Sequence, residues 1–391
     1  MQRFIRSLCA SALVLGSTLT GAPAQTAPSG TINIGFSGPL SGGAAAYGAD
    51  VQRGVQMAID EVNAGGGVTV GGKKQLFKLV SLDDQYRPNE AATNAKRLSL
   101  QDGAPIVFVP HSGGILAVLG FNEKQAPHFI VAAYSSDPAI LKPNNASVVM
   151  IPPSFDSYYK PFTEIEMKRF GKKLGLIPTT TAYGNSWTKG FTAVWQSAGG
   201  SVLSNNGVDY NTTTDFSTAV SKTLAEKPDV IFVGGPSQPT ALVMKAARDQ
   251  GFAGGFAMMD QAKFDQVQQV LPVARLEGAI GLVPFRETPG SGVKIFIDNY
   301  TKKYGTEREP NPEQAGNYEA MHVFAAAIRL ANSTDPAAIM AKVHDAAAGL
   351  PVRYAPLAIH GVSKTGHLIE DTFGGVVTHG KFTRITIPFT E

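Results

Sequence analysis

Apolar positions alternate between two periods along this chain. Ile32, Ile34 and Phe36 repeat every second residue, the spacing of a strand, and Val51, Val55, Ala58, Ile59 and Val62 follow at the spacing of one helical face. The glycine- and serine-rich turn 37–42 separates the two patterns. Asn63 and the glycines at 65–67 stop the helix, because glycine reaches the left-handed conformation of a C-cap. A strand that opens onto a helix N-terminus in this way presents backbone N–H groups to a small ligand.

The same alternation predicts further strands at 75–81, 105–110 and 129–133 and helices at 89–100 and 114–125. Such βα units imply a parallel sheet covered by helices on both faces. The pattern restarts after Pro152-Pro153, with helices at 158–170, 187–198, 216–225 and 238–250 and strands at 173–179, 200–208, 230–233 and 256–259. A second series of this size predicts a second α/β lobe. From Val283 onward prolines and glycines surround helices at 293–304, 314–331 and 335–347. Strands at 373–378 and 381–387 then flank His379-Gly380, which fits a two-residue hairpin turn.

The N-terminus reads as a secretory leader. Arg3 and Arg6 precede an uncharged apolar run, 8–19, and Ala22-Pro23-Ala24 fits a cleavage site, so residues 1–24 are expected to leave and the mature chain to begin near Gln25. Cys9 is the single cysteine and would leave with it, so the mature protein would have no disulfide and no thiolate chemistry. Losing the two arginines brings the formal charge from +3 to +1. With no basic run interleaved with aromatics, nucleic acid is not an expected partner. No second apolar run reaches membrane length, and the mature chain is expected to be soluble.

Catalytic motifs are incomplete. Residues 67–74 approach a phosphate loop, but Lys74 stands where Ser or Thr would hold magnesium, and the run precedes a strand; a solvated turn is the expectation. Gly35-Phe36-Ser37-Gly38 is not a dinucleotide fingerprint, no G-x-S-x-G elbow occurs, and the seven histidines have no metal-ligand spacing. Asp83-Asp84, adjacent at a strand end, point apart and suit a cap for the helix at 89 or an interlobe polar contact more than acid–base work. The expectation is a chain without catalytic residues, metal or cofactor.

The run 35–42 with Tyr47-Gly48, Gly54 and Ala58-Ile59-Asp60-Glu61-Val62-Asn63-Ala64-Gly65-Gly66 resembles the opening of periplasmic binding proteins of the leucine/isoleucine/valine-binding family, the soluble receptors of ABC importers. The resemblance continues through Leu82-Asp83-Asp84, 127–138, Tyr183-Gly184 and Gly234-Gly235. It implies a two-lobed α/β fold of the type I periplasmic binding class. Residues 30–150 with 284–355 would form one lobe and 151–283 with 356–391 the other, joined by three crossings near Ile151, Val283 and Ala355 that act as a hinge. It also implies a monomer in the periplasm, a small-molecule ligand and a membrane permease as partner.

Strand-end loops are where an open α/β sheet binds ligands. Tyr47 offers a flat face after the first glycine turn, and His111-Ser112-Gly113 opens a helix with hydroxyl and N–H groups suited to a carboxylate. By resemblance, Ser136 is the hydroxyl that meets ligand carboxylate and ammonium, and Tyr134 the carbonyl acceptor. Tyr183 would be the aromatic residue that closes over the ligand, and Asp260 the acid that binds its ammonium. Ser237 stands where relatives often carry an aromatic residue. That departure, with His111 and Trp187 nearby, opens the ligand to aliphatic amino acids, amides, urea or aromatic acids. Asp260 favours an amine-bearing ligand. A ligand sensor that docks on a regulator, and an exported α/β dehydrogenase or hydrolase, are the competing roles.

Overall fold

The computed structural model describes residues 30–307 and 309–389. The leader and Cys9 lie outside the described residues. The first lobe opens with β1 (Gly30–Gly38), α1 (Ala45–Ala64), the hairpin β2 (Val68–Val70) and β3 (Lys73–Asp83), then α2 (Pro88–Leu100), β4 (Ile106–Val109), α3 (Ser112–Leu119), β5 (Ile130–Ala133) and β6 (Val148–Met150). Its sheet runs β2-β3-β1-β4-β5-β6, parallel except for β2, which returns antiparallel along β3 through Gly71-Gly72, both at positive φ. Residues 67–74 are therefore a hairpin, not a phosphate loop.

The second lobe holds α4 (Asp156–Arg169), β7 (Lys173–Pro178), α5 (Ala182–Ser197), β8 (Ser201–Asn205), α6 (Ser217–Ala225), β9 (Val230–Gly234), α7 (Ser237–Asp249), β10 (Gly255–Met258), α8 (Phe264–Val270) and β11 (Ala279–Leu282). The chain then crosses back with α9 (Ser291–Tyr304), α10 (Pro312–Ala331) and α11 (Pro336–Ala348), whose buried faces join Ile34, Phe36, Val51 and Phe108 in the core of the first lobe. The short ladder β12 (Gly361–Val362) and β13 (Leu368–Ile369) follows, and β14 (Thr372–Thr378) and β15 (Lys381–Ile387) complete the second sheet in the order β15-β14-β11-β10-β9-β7-β8. His379 and Gly380 both take positive φ, the type I′ geometry that matches strand twist.

Three differences from the sequence reading have local causes. Helix α5 begins at Ala182, because the Thr181 hydroxyl accepts from Gly184 N and caps it; Tyr183 thus sits in a helical first turn, not a loop. Helix α3 stops at Leu119, where Gly120 begins a series of turns. The last return to the second lobe comes later than Ala355. Leu368 lies in the first core and Met150 pairs with His367, so the crossing falls at Glu370–Thr372.

Each lobe has its own buried clusters, and the lobes are closed on each other. Gly43 N donates to Asn211 O at 3.1 Å, Ser186 Oγ to Asp137 at 3.0 Å, and Gln266 Nε2 to Asp50 at 2.6 Å. Asp50 is ready for that contact because Asn311 and Gln314 of the α10 capping box also donate to it, each at 2.8 Å. Among the described residues no helix is long and apolar enough to cross a membrane.

Candidate functional site

The β-strand ends of the two sheets face each other across a cavity of about 530 Å³, counted out to its mouth. Tyr47, His111, Tyr134, Ser136, Tyr183 and Asp260 all line it, so six residues chosen from separate loops of the sequence meet in one place.

On the first lobe, β5 delivers Tyr134-Ser135-Ser136. Tyr47 Oη lies 2.6 Å from Pro110 O and 3.2 Å from Tyr134 O. A phenol has one proton, and the shorter contact takes it, which leaves acceptor capacity on the Tyr134 carbonyl. Ser136 is 2% exposed, and its Oγ has no hydrogen-bond partner among the described residues. A buried hydroxyl without a partner at a cavity wall is a group awaiting one.

His111 does something other than bind a carboxylate. Its Nδ1 accepts from Gly114 N at 3.0 Å, capping α3, and its Nε2 faces Asp84 Oδ2 at 3.1 Å. Accepting a backbone N–H requires a bare Nδ1, so the proton sits on Nε2 and is donated to Asp84. Both ring nitrogens are used, and only the ring edge and face remain for a ligand. Tyr86 stacks on that ring at 4.6 Å and accepts from Gln261 Nε2 of the other lobe at 3.1 Å. Asp83 and Asp84 neither cap α2 nor cross between lobes. Asp83 accepts from Leu40 N and Ser41 Oγ, fixing the first glycine turn, and Asp84 accepts from Ser37 Oγ and Tyr86 N.

The second lobe contributes Asp260, just past β10. Its Oδ1 accepts from Tyr183 Oη at 2.6 Å and from Trp187 Nε1 at 2.8 Å. Tyr183 and Trp187 are held in turn by edge and tilted contacts with Phe155. Burial, then the Asp260 charge, pushes the Tyr183 phenol far above its ordinary range, so it stays a donor. Oδ2 has no hydrogen-bond partner among the described residues and is the free acceptor of the site.

Lys263 also lines the cavity, but its Nζ is bound by Asp260 O and by Glu313 Oε1 at 2.9 Å, a pair buried across the lobe boundary. Burial outweighs Lys263 and pushes the Glu313 carboxyl up.

Three residues of the sequence reading lie outside the cavity. Ser112 is buried against Ser135, with their hydroxyls 2.8 Å apart, and Gly113 packs on Pro88. Ser237 opens α7 and accepts from Lys263 N at 3.0 Å, so it holds the Asp260–Lys263 loop from behind. The hydroxyl of Ser112 meets Ser135 inside the lobe, so the structure does not bring the carboxylate cradle expected at Ser112-Gly113 to the cavity wall. Sequence reasoning missed Tyr86, Tyr158, Gln261, Lys263 and Glu370, together with the hinge residues Pro152, Pro153 and Leu282. Pro152-Pro153 was visible as a punctuation mark between the two βα series; the others carry no local signal. Among the described residues no group of three or more His, Cys, Asp or Glu is arranged to hold a metal.

A free carboxylate oxygen, a carbonyl and an unpartnered hydroxyl around an aromatic cavity can hold a small polar molecule. The family model for periplasmic binding proteins matches residues 31–380. Leu/Ile/Val-binding protein homolog 7 from Brucella suis is 26% identical over 361 residues, covering 87% of this chain and 85% of that protein. The Streptococcus pneumoniae branched-chain amino acid transporter substrate-binding protein LivJ, solved in complex with isoleucine, superposes with a TM-score of 0.74 at 21% identity, over 91% of this chain and 99% of that one. A solute-binding protein of an ABC transporter from Rhodopseudomonas palustris, in complex with 3,4-dihydroxy benzoic acid, gives 0.72 at 18%, over 91% and 98%. The match over nearly the whole described chain means that this protein belongs to the periplasmic binding protein family, in the type I fold of its structural neighbours.

Proposed function

We propose that this protein is the extracytoplasmic solute receptor of an ABC importer, exported to the periplasm by its leader, and that its ligand is an amino acid or a close amide relative. The two lobes close on the ligand, and the closed monomer hands it to the membrane permease. Asp260 Oδ2 and the Tyr134 carbonyl take the ammonium, and Ser136 Oγ donates to the carboxylate.

The observation that carries this reading is the charge inventory of the cavity. Asp260 presents a free carboxylate oxygen, whereas the cation and the imidazole of the wall are already engaged, Lys263 by Glu313 and His111 by Asp84 and Gly114. An aromatic acid without an amine would meet a carboxylate and no available counter-charge, which costs desolvation energy that neutral donors repay only in part. The R. palustris relative keeps that alternative worth testing.

The test is thermal denaturation of the chain from Gln25, stripped of carried-over ligand by partial unfolding and dialysis, against aliphatic amino acids, amides, urea and aromatic acids. A ligand at about one hundred times its Kd adds about 2.7 kcal/mol. Stabilisation by an amino acid that disappears in Asp260→Ala supports the reading. Stabilisation by aromatic acids alone, unaffected by Asp260→Ala, overturns the ligand. Turnover of the bound compound would overturn the receptor role.

A further inference from the structure

The cavity has a second acidic wall that the reading above does not use. Glu370 sits at the third hinge crossing, between β13 and β14, and lines the cavity together with the hinge residues Pro152, Pro153 and Leu282 and with Tyr158 and Leu357. It is 6% exposed. Its charged neighbours are Glu319, in α10, and Asp371, both acids, and no cation or hydrogen-bond donor reaches it among the described residues. Glu319 is itself satisfied, accepting from Leu357 N at 2.8 Å and Ile359 N at 3.0 Å, and Asp371 faces His360 at 3.1 Å near the surface. The cation of the cavity wall, Lys263, belongs to Glu313.

A carboxyl buried among apolar and aromatic residues, with acids as its charged neighbours and the Tyr134 and Tyr158 phenols within electrostatic range, is costly unless something pairs with it. The side of Glu370 left open is the cavity. Resting on the amino acid reading, we propose that Glu370 is a specificity residue that selects a ligand whose side chain carries a nitrogen-borne hydrogen-bond donor, as a carboxamide or an amine does. A plain aliphatic side chain would bury the carboxyl without a partner, whereas a donor supplies the one that the protein lacks; a site with an unmet polar group discriminates by orders of magnitude against the ligand that fails to meet it. Burial, then Glu319, holds the Glu370 carboxyl well above its ordinary range, the direction that favours the neutral acid. A neutral acid matches a carboxamide donor for acceptor, and an amine would drive the proton off.

The experiment is titration calorimetry of the stripped chain with leucine, asparagine, glutamine, 2,4-diaminobutyrate and aspartate, each in two buffers of different ionisation enthalpy. At least one donor-bearing side chain is expected to bind tenfold or more tighter than leucine. Glu370→Leu should erase that preference, and Glu370→Gln, which keeps the size and removes the acid, should hold an amide within a few-fold while losing an amine. Proton release on binding identifies the amine, and its absence the amide. Circular dichroism melting of both variants separates lost folding from lost recognition. Leucine binding with no donor preference, or a Glu370→Gln variant that weakens every ligand equally, overturns the assignment of Glu370 and leaves the receptor reading standing. No binding of any α-amino acid overturns the amino acid reading and this inference with it, and leaves the receptor role to the wider ligand panel.

Discussion

Tyr183 and Asp260 meet hydroxyl to carboxylate at 2.6 Å, and Trp187 donates to the same oxygen. Two donors on Oδ1 fix the carboxylate rotamer before any ligand arrives and leave Oδ2 without a hydrogen-bond partner among the described residues. Removing the acid leaves a ligand ammonium desolvated and unpaired, so Asp260→Ala is predicted to weaken an amino acid ligand by roughly 2–4 kcal/mol. Tyr183→Phe removes one positioning donor and should cost about 1 kcal/mol. Calorimetric titration of both variants checks the order; equal losses would mean that Tyr183 touches the ligand itself.

Closure brings Lys263 of one lobe within 2.9 Å of Glu313 of the other, and both side chains are buried there. Glu313 lies in the first turn of α10, where the helix N-terminus favours a carboxylate. Removing one partner of a buried pair leaves an uncompensated charge, a cost of about 3–5 kcal/mol. Opening the lobes returns that charge to water, so Lys263→Met is predicted to lower ligand affinity about a hundredfold or more, while the open, ligand-free chain loses only the Lys263–Asp260 carbonyl contact, a cost of about 1 kcal/mol. The double variant Lys263→Met/Glu313→Leu should recover most of the affinity. Affinity unchanged in the single variant would mean that the pair does not report on closure.

The βα alternation made both sheets legible in the sequence, because strands buried on both faces read as apolar runs and amphipathic helices fall between them. The cavity was legible in part for the same reason. Tyr47, Tyr134, Ser136, Tyr183 and Asp260 stand at strand ends or the turns beside them, which the topology must bring to one edge. Glu370 and Lys263 were not legible, since one reaches the cavity through a hinge crossing and the other through a loop that Ser237 holds from behind. The surroundings of Ser112 were not legible either, because a serine at a helix start looks the same whether its hydroxyl faces a cavity or, as here, Ser135.

Gly54 sits inside α1, where a helix would gain from alanine. A Cβ there would come within 2.2 Å of the Gln314 carbonyl of α10, so the glycine is required by the close approach of two backbones. Gly54→Ala should destabilise the protein by about 1–3 kcal/mol and disturb the Gln314–Asp50 contact that prepares the lobe interface. Chemical denaturation checks the first; a stable variant with reduced ligand affinity would isolate the second.

Burial pushes Glu166 to about 8, against the opposing pull of Arg169 and Arg248, and Asp265 to about 7, and Glu319 also stands at about 8. Carboxyls with folded values above their ordinary 3.8–4.5 hold protons more tightly when folded. Their contribution is complete below the unfolded values and is lost as pH rises through the folded ones. His322, lowered by burial, acts in the opposite sense, but only up to its ordinary 6.5. Melting temperature of the ligand-free chain should therefore fall between pH 6.5 and 8, and Glu166→Gln should flatten the slope. A melting temperature that rises over that interval would contradict the assignment.

The central claim is that the lobes close on a molecule bearing both an amine and a carboxylate. The most direct measurement is calorimetric titration of the stripped chain with the best-binding amino acid, its deaminated acid and its decarboxylated amine. The intact amino acid is expected to bind at least a hundredfold tighter than either analogue, and Asp260→Ala to remove the advantage over the deaminated acid. Equal or tighter binding of the deaminated acid by the unaltered chain would contradict the claim.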